Sequence, residues 1–434
     1  MSRICTSAKP AGTNKPPVCD AEFVSDSDSD TILSVTREMQ PALFTPLTLR
    51  GLTLSNRIIV APMSQFSAED GCMTDWHLMH LGHMAISGAG LVMTEAVYPE
   101  ARGRNGPGCV GLYSDACEAA LARVHDFCRE NSPASLGIQL GHAGRKASIL
   151  PPWQDRAPIP PGAGGWEAIG PSAISMGPPY PAPRVLSHAD MATLRGRFVE
   201  ATERAVRIGY DLLEIHAAHG YLFHQFLSPL SNKRDDEYGG SPENRRRYLL
   251  EVFEAMRAAW SEDRPMGVRL SAVDWAEGGL EIEDTIAVAR DLKAVGCDFI
   301  VASSGGLVVD KPIPIAPGYQ APFAEEIRRE ADIPTVAVGM ITEPEHAETI
   351  VSEEQADCVA LARGMLYEPR WTWHAATALG VSDVSYPSQY NPARPEGRSS
   401  YTGNWTPKDL NTDRAWGSIV SDSESDTDSD TITK

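Results

Sequence analysis

Residues 187–219, SHADMATLRGRFVEATERAVRIGYDLLEIHAAH, place a helical pattern directly before a strand pattern. Apolar side chains after Ser187 recur every three or four positions, which predicts an amphipathic helix that ends at Gly209. These apolar positions are Met191, Leu194, Phe198, Ala201, Ala205 and Ile208. The apolar run Asp211–His219 then predicts a buried strand. A helix that leads straight into a strand is typical of an α/β fold.

The same alternation of strand and helix extends over most of the chain. Eight runs are predicted to be strands: Arg57–Met63, Ala89–Ala96, Ser135–His142, Asp211–His219, Met266–Ala272, Asp298–Gly305, Thr335–Ile341 and Cys358–Met365. The helices between them include one capped by Ser241, with Pro242 at its first position, and one that ends at Gly296. Strict alternation implies parallel strands with right-handed crossovers, as in a doubly wound sheet or a closed barrel. Because there are eight strands and no G-x-G-x-x-G motif follows any of them, we predict a (β/α)₈ TIM barrel.

Charge and composition narrow the classes of partner. The 434 residues carry a formal net charge of -20, and the sequence pI is near 5.0. Such an acidic chain repels phosphate backbones and anionic lipid, so we expect small-molecule partners and neither nucleic acid nor membrane. The N-terminus has no apolar signal segment and no apolar run reaches about 18 residues, which predicts a cytoplasmic protein. The sequence is compatible with a homo-oligomer as well as with a monomer. The eight cysteines form no C-x-x-C pair, so reduced thiols are expected rather than a metal site.

The two ends of the chain are low-complexity acidic tracts. Residues 24–32 are VSDSDSDTI and residues 420–432 are VSDSESDTDSDTI. Such tracts cannot bury apolar area, so we predict a disordered N-terminal tail over 1–40, a barrel over 41–382, and a C-terminal extension with a disordered acidic tail over 383–434. Serines followed by acidic residues leave phosphorylation by acid-directed kinases open. The Pro/Gly-rich stretch 151–183 is too long for a plain connection and is expected to cover one mouth of the barrel.

In a TIM barrel, function lies at the C-terminal ends of the strands. The fourth strand ends with His216, His219 and Tyr221. Two neutral imidazoles could hold a carbonyl oxygen and stabilise the enolate that forms on it, and the phenol could supply a proton. A zinc site is disfavoured because no H-E-x-x-H motif or third ligand stands nearby. Histidines satisfied by hydrogen bonds in a polar loop remain the alternative.

Other strand ends carry groups suited to an anionic cofactor. Arg269 lies in an otherwise apolar strand, where an unpaired charge is costly, so an anionic partner inside the barrel is expected. Gln139 adds an amide that both donates and accepts hydrogen bonds. Gly339 and Arg363 follow the last two strands, and glycine with a basic residue there favours a phosphate site.

Longer motifs extend this pattern to a family resemblance. They are SNRI (55–58) with APM (61–63), GIQL (137–140) with HAGRK (142–146), GWE (165–167), HAAHGYL (216–222), and SNKRDDEYGGS (231–241) leading into Asn244 and Arg245. With these motifs, residues 43–380 resemble the old yellow enzyme family, and within it the bacterial-type branch of NADPH dehydrogenases and xenobiotic reductases.

The resemblance implies a cofactor, a reaction and residue roles. The cofactor is FMN, reduced by NADPH or NADH in the same pocket, and the reaction is reduction of C=C bonds conjugated to carbonyl or nitro groups. It implies that the FMN ring contacts Ala61, Pro62, Met63, Ser64, Ala96 and Gln139, with Arg269 beside N1 and the C2 carbonyl. Gly339, Ala362 and Arg363 would hold the phosphate. His216 and His219 would bind the substrate's oxygen, and Tyr221 would protonate the α-carbon after hydride passes from flavin N5 to the β-carbon.

The sequence departs from this branch at the first strand. Relatives usually carry Cys and, two residues later, Tyr, where this chain has Ser64 and the substrate-contacting Phe66. The redox potential and the substrate range are therefore open. Two alternatives remain: a redox-neutral flavin-dependent isomerase or cyclase of secondary metabolism, and a non-catalytic scaffold that acts through its acidic tails.

Overall fold

Eight parallel strands close into a barrel within residues 40–309 and 311–394, the part of the chain that this computed structural model describes. The strands are β1 (Ile58–Val60), β2 (Leu91–Val97), β3 (Ser135–Leu140), β4 (Leu212–Ala217), β5 (Met266–Ser271), β6 (Ile300–Ser303), β7 (Thr335–Val338) and β8 (Cys358–Leu361). Each pairs in parallel with the next, and β8 pairs with β1. All eight overlap the predicted strands, so the predicted (β/α)₈ barrel is confirmed, and the sheet closes instead of remaining open.

Helices alternate with these strands. The longer ones in the described ranges are α1 (Asp75–Ala85), α2 (Asp115–Asn131), α3 (His188–Ile208), α4 (Pro242–Ala259), α5 (Ile282–Ala294), α6 (Ala321–Ala331), α7 (Pro344–Ser352) and α8 (Trp371–Ala378). Short helices follow β4 (Leu222–Leu227) and β8 (Arg363–Tyr367). The predicted caps are present: Ser187 accepts from the Asp190 N–H, and Gly209 ends α3 with a φ of 101°.

Single 3₁₀ turns and short strand pairs complete the described chain. The turns are Ala42–Phe44, Ala101–Gly103, Gly144–Lys146, Pro152–Gln154, Pro161–Ala163 and Ser388–Ala393. An antiparallel hairpin, Leu47–Leu49 with Leu52–Leu54, precedes β1. Its Leu49 and Leu54 pack in the same buried cluster as Leu212 and Phe299, which lie near the N-terminal ends of their strands. The hairpin therefore closes the N-terminal end of the barrel.

Strand side chains alternate between the barrel interior and the helix layer. On β4, Leu213 and Ile215 belong to the large cluster that contains the helices, whereas Leu212 belongs to the interior cluster. By the same alternation Glu214 and His216 point into the barrel. This alternation brings polar groups of β4 inside, near the C-terminal mouth.

The Pro/Gly-rich segment 151–183 lies at this mouth. Trp166, which belongs to it, donates from Nε1 to the Arg102 carbonyl, 2.7 Å away, in the segment after β2. Arg145, which follows β3, donates to the carbonyls of Ile174 and Ser175. A parallel pair of two-residue strands, Ile169–Gly170 with Arg184–Val185, connects the segment to the start of α3. These contacts hold it beside the strand ends, as expected.

The described part of the chain continues past α8 and packs against it. Val384 is buried, and the Tyr386 and Trp373 rings lie 4.5 Å apart. The predicted N-terminal tail (1–40) and C-terminal extension with its tail (383–434) lie outside the described residues, apart from residue 40 and residues 383–394, which include the 3₁₀ helix Ser388–Ala393. The predicted limits of the barrel at 41 and 382 stay a prediction. Of the helices described, none has the length and apolarity needed to cross a bilayer. Six cysteines are described, and all six are free thiols.

Candidate active site

The predicted site residues lie at one end of the barrel. Because all eight strands are parallel, their C-terminal ends meet at the same mouth. In the lateral register, Gln139 of β3 stands opposite Ala96 of β2 on one side and Glu214 of β4 on the other. One step nearer the mouth, His216 of β4 stands opposite Arg269 of β5. Polar side chains from three neighbouring strands, β3, β4 and β5, therefore form one continuous group.

His216 and His219 form a hydrogen-bonded pair at the end of β4. His216 Nε2 lies 3.3 Å from His219 Nδ1, and His219 Nε2 lies 2.6 Å from the Ser303 hydroxyl. The Ala218 N–H donates to His216 Nδ1, so a neutral His216 carries its proton on Nε2. Burial, followed by the charge of Arg269, holds the pKa of both imidazoles well below its usual value. Both rings are therefore neutral, and each has one N–H to donate.

A buried histidine and aspartate hold the loop between His219 and Tyr221. Gly220 has a φ of 72°, and a Cβ there would stand 2.4 Å from the Gly306 carbonyl oxygen, so glycine is required. The Gly220 N–H donates to His224 Nδ1, 2.8 Å away, and His224 Nε2 lies 2.8 Å from Asp274 Oδ1. Both side chains are fully buried. This pair fixes the turn that places His219 and Tyr221 on either side of Gly220.

Tyr221 stands beside the imidazole pair. Its ring centroid is 4.7 Å from that of His216, in an edge-to-face arrangement. Burial raises the pKa of Tyr221, so the phenol is protonated at neutral pH. Lys146 Nζ lies 5.4 Å from the Tyr221 ring centroid and donates to the carbonyls of His219 and Gly306. Burial, followed by the charge of Arg145, lowers the pKa of Lys146 to about 7.

Gln139 and Glu214 form a buried polar pair, and Arg269 lies one step nearer the mouth, level with His216. Gln139 Nε2 donates to Glu214 Oε1 over 2.5 Å, and both side chains are buried. Arg269 has no hydrogen-bond partner among the described residues, and its Nε atom is buried. Burial lowers the pKa of Arg269 and raises that of Glu214, while each charge opposes the shift of the other. The guanidinium is thus a buried cation with unused N–H donors at the mouth.

The segment after β1 is fixed by a second buried pair. The Gln65 N–H donates to Glu95 Oε2 over 3.2 Å, and Glu95 Oε1 lies 3.1 Å from His77 Nε2. Because the Thr74 N–H donates to His77 Nδ1, the proton of a neutral His77 lies on Nε2 and points at the carboxyl group. Burial raises the pKa of Glu95. The pair ties the backbone beside Ala61–Ser64 to β2.

The two positions that depart from the family branch stand in this same segment. Ser64 is exposed at the mouth. Phe66 has a φ of 51°, and its ring meets that of Trp153 edge to face at 6.0 Å between centroids. Phe66 also packs beside a buried cluster that includes Ala96 and is bordered by Tyr221. Phe66 therefore reaches the wall of the pocket in which the phenol lies.

At the ends of β7 and β8, Gly339, Ala362 and Arg363 are adjacent to the same mouth. Gly339 has a φ of 120°, and a Cβ there would stand 2.7 Å from Gln320 Nε2 and 2.8 Å from Tyr319 Cε1. Gln320 Nε2 in turn donates to the Val338 carbonyl over 2.7 Å. The backbone at Gly339 therefore requires glycine, because Gln320 and Tyr319 occupy the space that a side chain would fill.

Residues 42–380 match the model of the NADH:flavin oxidoreductase / NADH oxidase family. The chain belongs to this family, the old yellow enzymes. The NADPH dehydrogenase of Geobacillus thermodenitrificans is 43% identical over 354 residues, which cover 81% of this chain and 98% of that protein. An NADPH dehydrogenase of Listeria innocua is 42% identical over 353 residues, with the same two coverages.

Solved structures of old yellow enzymes agree with the fold. The homologue from Zymomonas mobilis is 25% identical, with a TM-score of 0.66 over 80% of this chain and 94% of that one. Morphinone reductase in complex with tetrahydroNAD is 26% identical, with a TM-score of 0.65 over 80% of this chain and 93% of that one. This chain is accordingly an FMN-dependent NAD(P)H oxidoreductase.

Two features of the mouth fit FMN. The Arg269 Nε atom is buried without a partner, and a buried guanidinium of this kind suits the carbonyl and the developing negative charge of a flavin ring. The second feature is that Gly339 follows β7 and the basic Arg363 follows β8, since glycine and a basic residue at the last two strand ends suit a phosphate. Both features lie where the old yellow enzyme resemblance places the two ends of the cofactor.

Sequence reasoning assigned no role to several residues of this site. Glu95 and Glu214 are carboxyl groups in apolar strands, and the argument that singled out Arg269 would also have found them. Lys146 belongs to the HAGRK motif (142–146), but its contacts with the carbonyls of His219 and Gly306 depend on the tertiary structure. Asn105 contacts the Tyr221 hydroxyl, with its Nδ2 atom 2.7 Å away, but it lies in a loop with no recognisable sequence motif.

A separate cavity of about 380 Å³ opens at the opposite end of the barrel. Its wall includes Ala89 and Ala134, which stand just before β2 and β3, and Tyr386. It contains none of the predicted site residues. The candidate active site is therefore the C-terminal mouth.

Proposed function

We propose that this old yellow enzyme is an ene-reductase that reduces C=C bonds conjugated to a carbonyl or nitro group. The observation that carries the proposal is the neutral His216–His219 pair beside the protonated phenol of Tyr221. The pair can bind the substrate's oxygen, and the phenol can supply a proton. These are the two functions that side chains must provide in such a reduction.

FMN, once reduced by NADPH or NADH, supplies the hydride for the β-carbon. We assign its ring to Ala61, Pro62, Met63, Ser64, Ala96, Gln139 and Arg269, and its phosphate to Gly339, Ala362 and Arg363. Phe66 stands with the two histidines on the substrate side. The preference between the two nicotinamides and the cytoplasmic location stay predictions.

The imidazole pair can become a two-donor clamp by one proton shift. His216 Nε2 and His219 Nδ1 face each other and share one proton, while His219 Nε2–H donates to Ser303. The Ser303 hydroxyl can reverse its role and donate to His219 Nε2, because its contact with Gln320 is long, at 3.3 Å, and Gln320 keeps Ser304 as a partner. The His219 proton then lies on Nδ1. Two N–H groups now face one point, where an oxygen accepts both and the enolate charge is stabilised.

Proton delivery falls to Tyr221. Its ring adjoins His216, so a substrate whose oxygen lies on the imidazoles presents its neighbouring carbon atoms to the phenol. The O–H bond of Tyr221 breaks as the C–H bond at the α-carbon forms. Because burial raises the Tyr221 pKa, the phenol retains its proton until a carbanion-like carbon is present.

Replacement of Tyr221 by Phe tests the proposal directly. Reduction of the holoenzyme by NADPH should be nearly unchanged, whereas reoxidation by 2-cyclohexenone should slow by about 10²- to 10⁴-fold, the usual contribution of a general acid. Stopped-flow absorbance of the flavin measures both half-reactions. A loss below about fivefold would contradict the role of Tyr221 as proton donor.

A matched control is Tyr98→Phe. Tyr98 is a buried tyrosine of the cluster that Tyr221 borders, and its hydroxyl approaches the backbone of Asn105 without a well-formed hydrogen bond. Its replacement should leave both half-reactions at the wild-type rate. In the same assay, product that forms without NADPH consumption would identify a redox-neutral isomerase instead.

A further inference from the structure

The hydroxyl of Tyr221 makes one hydrogen bond within the described residues, and its partner is Asn105. Asn105 Nδ2 lies 2.7 Å from Tyr221 Oη, between residues 116 positions apart in sequence. Asn105 is buried, in the connection between β2 and α2, and its carbonyl accepts from the Ile149 N–H. The backbone of Asn105 is therefore anchored on the Tyr221 side of the pocket, and the side-chain Oδ1 is buried without a partner among the described residues.

The direction of this hydrogen bond matters for acid catalysis. An amide N–H can only donate, so the phenol oxygen accepts and the phenol hydrogen stays free. The opposite orientation of the amide, with Oδ1 towards Tyr221, would engage the phenol hydrogen and leave none for a substrate. A bond donated to the oxygen also stabilises the phenolate, and the Asn105 bond accordingly opposes the rise that burial causes in the pKa of Tyr221.

We propose that Asn105 is a positioning residue for the proton donor: it holds the phenol oxygen so that the Tyr221 O–H points at the substrate, and it stabilises the phenolate that proton transfer leaves behind. The inference rests on the proposed function of Tyr221. In the step, the enolate electron pair forms the α-carbon C–H bond, the O–H pair stays on the phenolate, and a solvent proton restores the phenol. A hydrogen bond to a charged oxygen is stronger than one to a neutral oxygen, so Asn105 assists the transition state more than the ground state.

Two substitutions test whether the Asn105–Tyr221 hydrogen bond is needed and whether its direction matters. Asn105→Leu removes the donor at similar size, and Asn105→Asp keeps the shape but offers an acceptor, which captures the phenol hydrogen. Each is made in the wild-type holoenzyme and in Tyr221→Phe. The reoxidation of NADPH-reduced enzyme by 2-cyclohexenone is followed from about pH 7 to about pH 11.5, a range that extends above the ordinary pKa of a phenol, and reduction by NADPH and FMN content serve as internal controls.

We expect Asn105→Leu to slow reoxidation by about tenfold and Asn105→Asp by about 100-fold, with reduction and FMN content unchanged. In Asn105→Leu the alkaline fall of the pH profile should move to higher pH, because a bond that lowers the Tyr221 pKa is lost. In the Tyr221→Phe background neither change should slow reoxidation further by more than twofold, since no phenol remains to be positioned.

The outcomes distinguish this inference from the proposed function. If Asn105→Leu is reoxidised at the wild-type rate while Tyr221→Phe is reoxidised slowly, the role of Asn105 is wrong but the proton donor stands. The role of Asn105 is also wrong if a change at Asn105 slows reoxidation by the same factor in Tyr221→Phe as in the wild type, because an equal loss without the phenol indicates a general structural effect. A Tyr221→Phe variant at the wild-type rate would overturn the proton donor itself and, with it, the inference. If Asn105→Leu does not fold, the near-isosteric Asn105→Asp is compared in the same way with the wild type and in the Tyr221→Phe background.

Discussion

Replacing Arg269 by Met should change the stability of the apoprotein and the affinity for FMN in opposite directions. Arg269 is a buried cation on β5 with no hydrogen-bond partner among the described residues. An unsatisfied buried donor costs about 1–3 kcal/mol, and desolvation of the charge adds to that cost, which the nearby Glu214 offsets in part. Methionine has a similar length and no polar atom. The apoprotein should therefore be as stable as wild type or more stable, by up to about 3 kcal/mol.

The same substitution removes a donor from the proposed FMN site. Hydrogen bonds to charged groups contribute about 1.5–3 kcal/mol, which corresponds to a rise of about 10- to 150-fold in the Kd of FMN. Glu214 loses its nearest cation, so its pKa should rise further and the carboxyl group should become protonated. Urea unfolding of the deflavinated protein measures stability, and fluorescence quenching on adding FMN measures Kd.

Arg145→Met is the matched control. Arg145 is equally buried, but its guanidinium donates to three carbonyls, those of Ile174, Ser175 and Leu307. Its loss should destabilise the apoprotein by about 1–3 kcal/mol and leave the Kd of FMN within about threefold. If Arg269→Met destabilised the apoprotein as much as the control does, or bound FMN as tightly as wild type, the assignment of Arg269 as an unused donor would be wrong.

Two further predictions concern the flavin and the imidazoles. Ser64→Cys should keep FMN and shift its midpoint potential by at least about 20 mV, because a thiol and a hydroxyl form hydrogen bonds of different strength with the ring. A dye-coupled redox titration measures the midpoint of both proteins. Identical midpoints would show that Ser64 does not face the flavin. His216 and His219 have pKa values well below those of the unfolded chain, so the unfolded state binds more protons below about pH 6.5 and stability is lost as pH falls. Replacing both by Asn should reduce the loss between pH 7.5 and 5.5, measured by urea unfolding, by about 2–3 kcal/mol; an equal loss in both proteins would mean that the imidazoles are charged in the fold.

Local patterns in the sequence predicted most of the fold. The apolar period of α3 and its caps at Ser187 and Gly209 depend on neighbours within a few residues, and the structure has both caps where they were predicted. The count of eight strands then favoured a barrel. Once the strands are parallel, every strand end lies at one mouth, so His216, Gln139 and Arg269 could be predicted to meet without coordinates.

The sequence by itself determined the architecture, the family and which residue types stand at the mouth, because these follow from local periodicity and from motifs. Only the tertiary structure decided how those residues are paired. The bond from Asn105 to Tyr221 and the unused donor of Arg269 depend on how segments far apart in sequence approach one another. A change of about 1 Å in such an approach makes or breaks a hydrogen bond but leaves every local pattern unaltered.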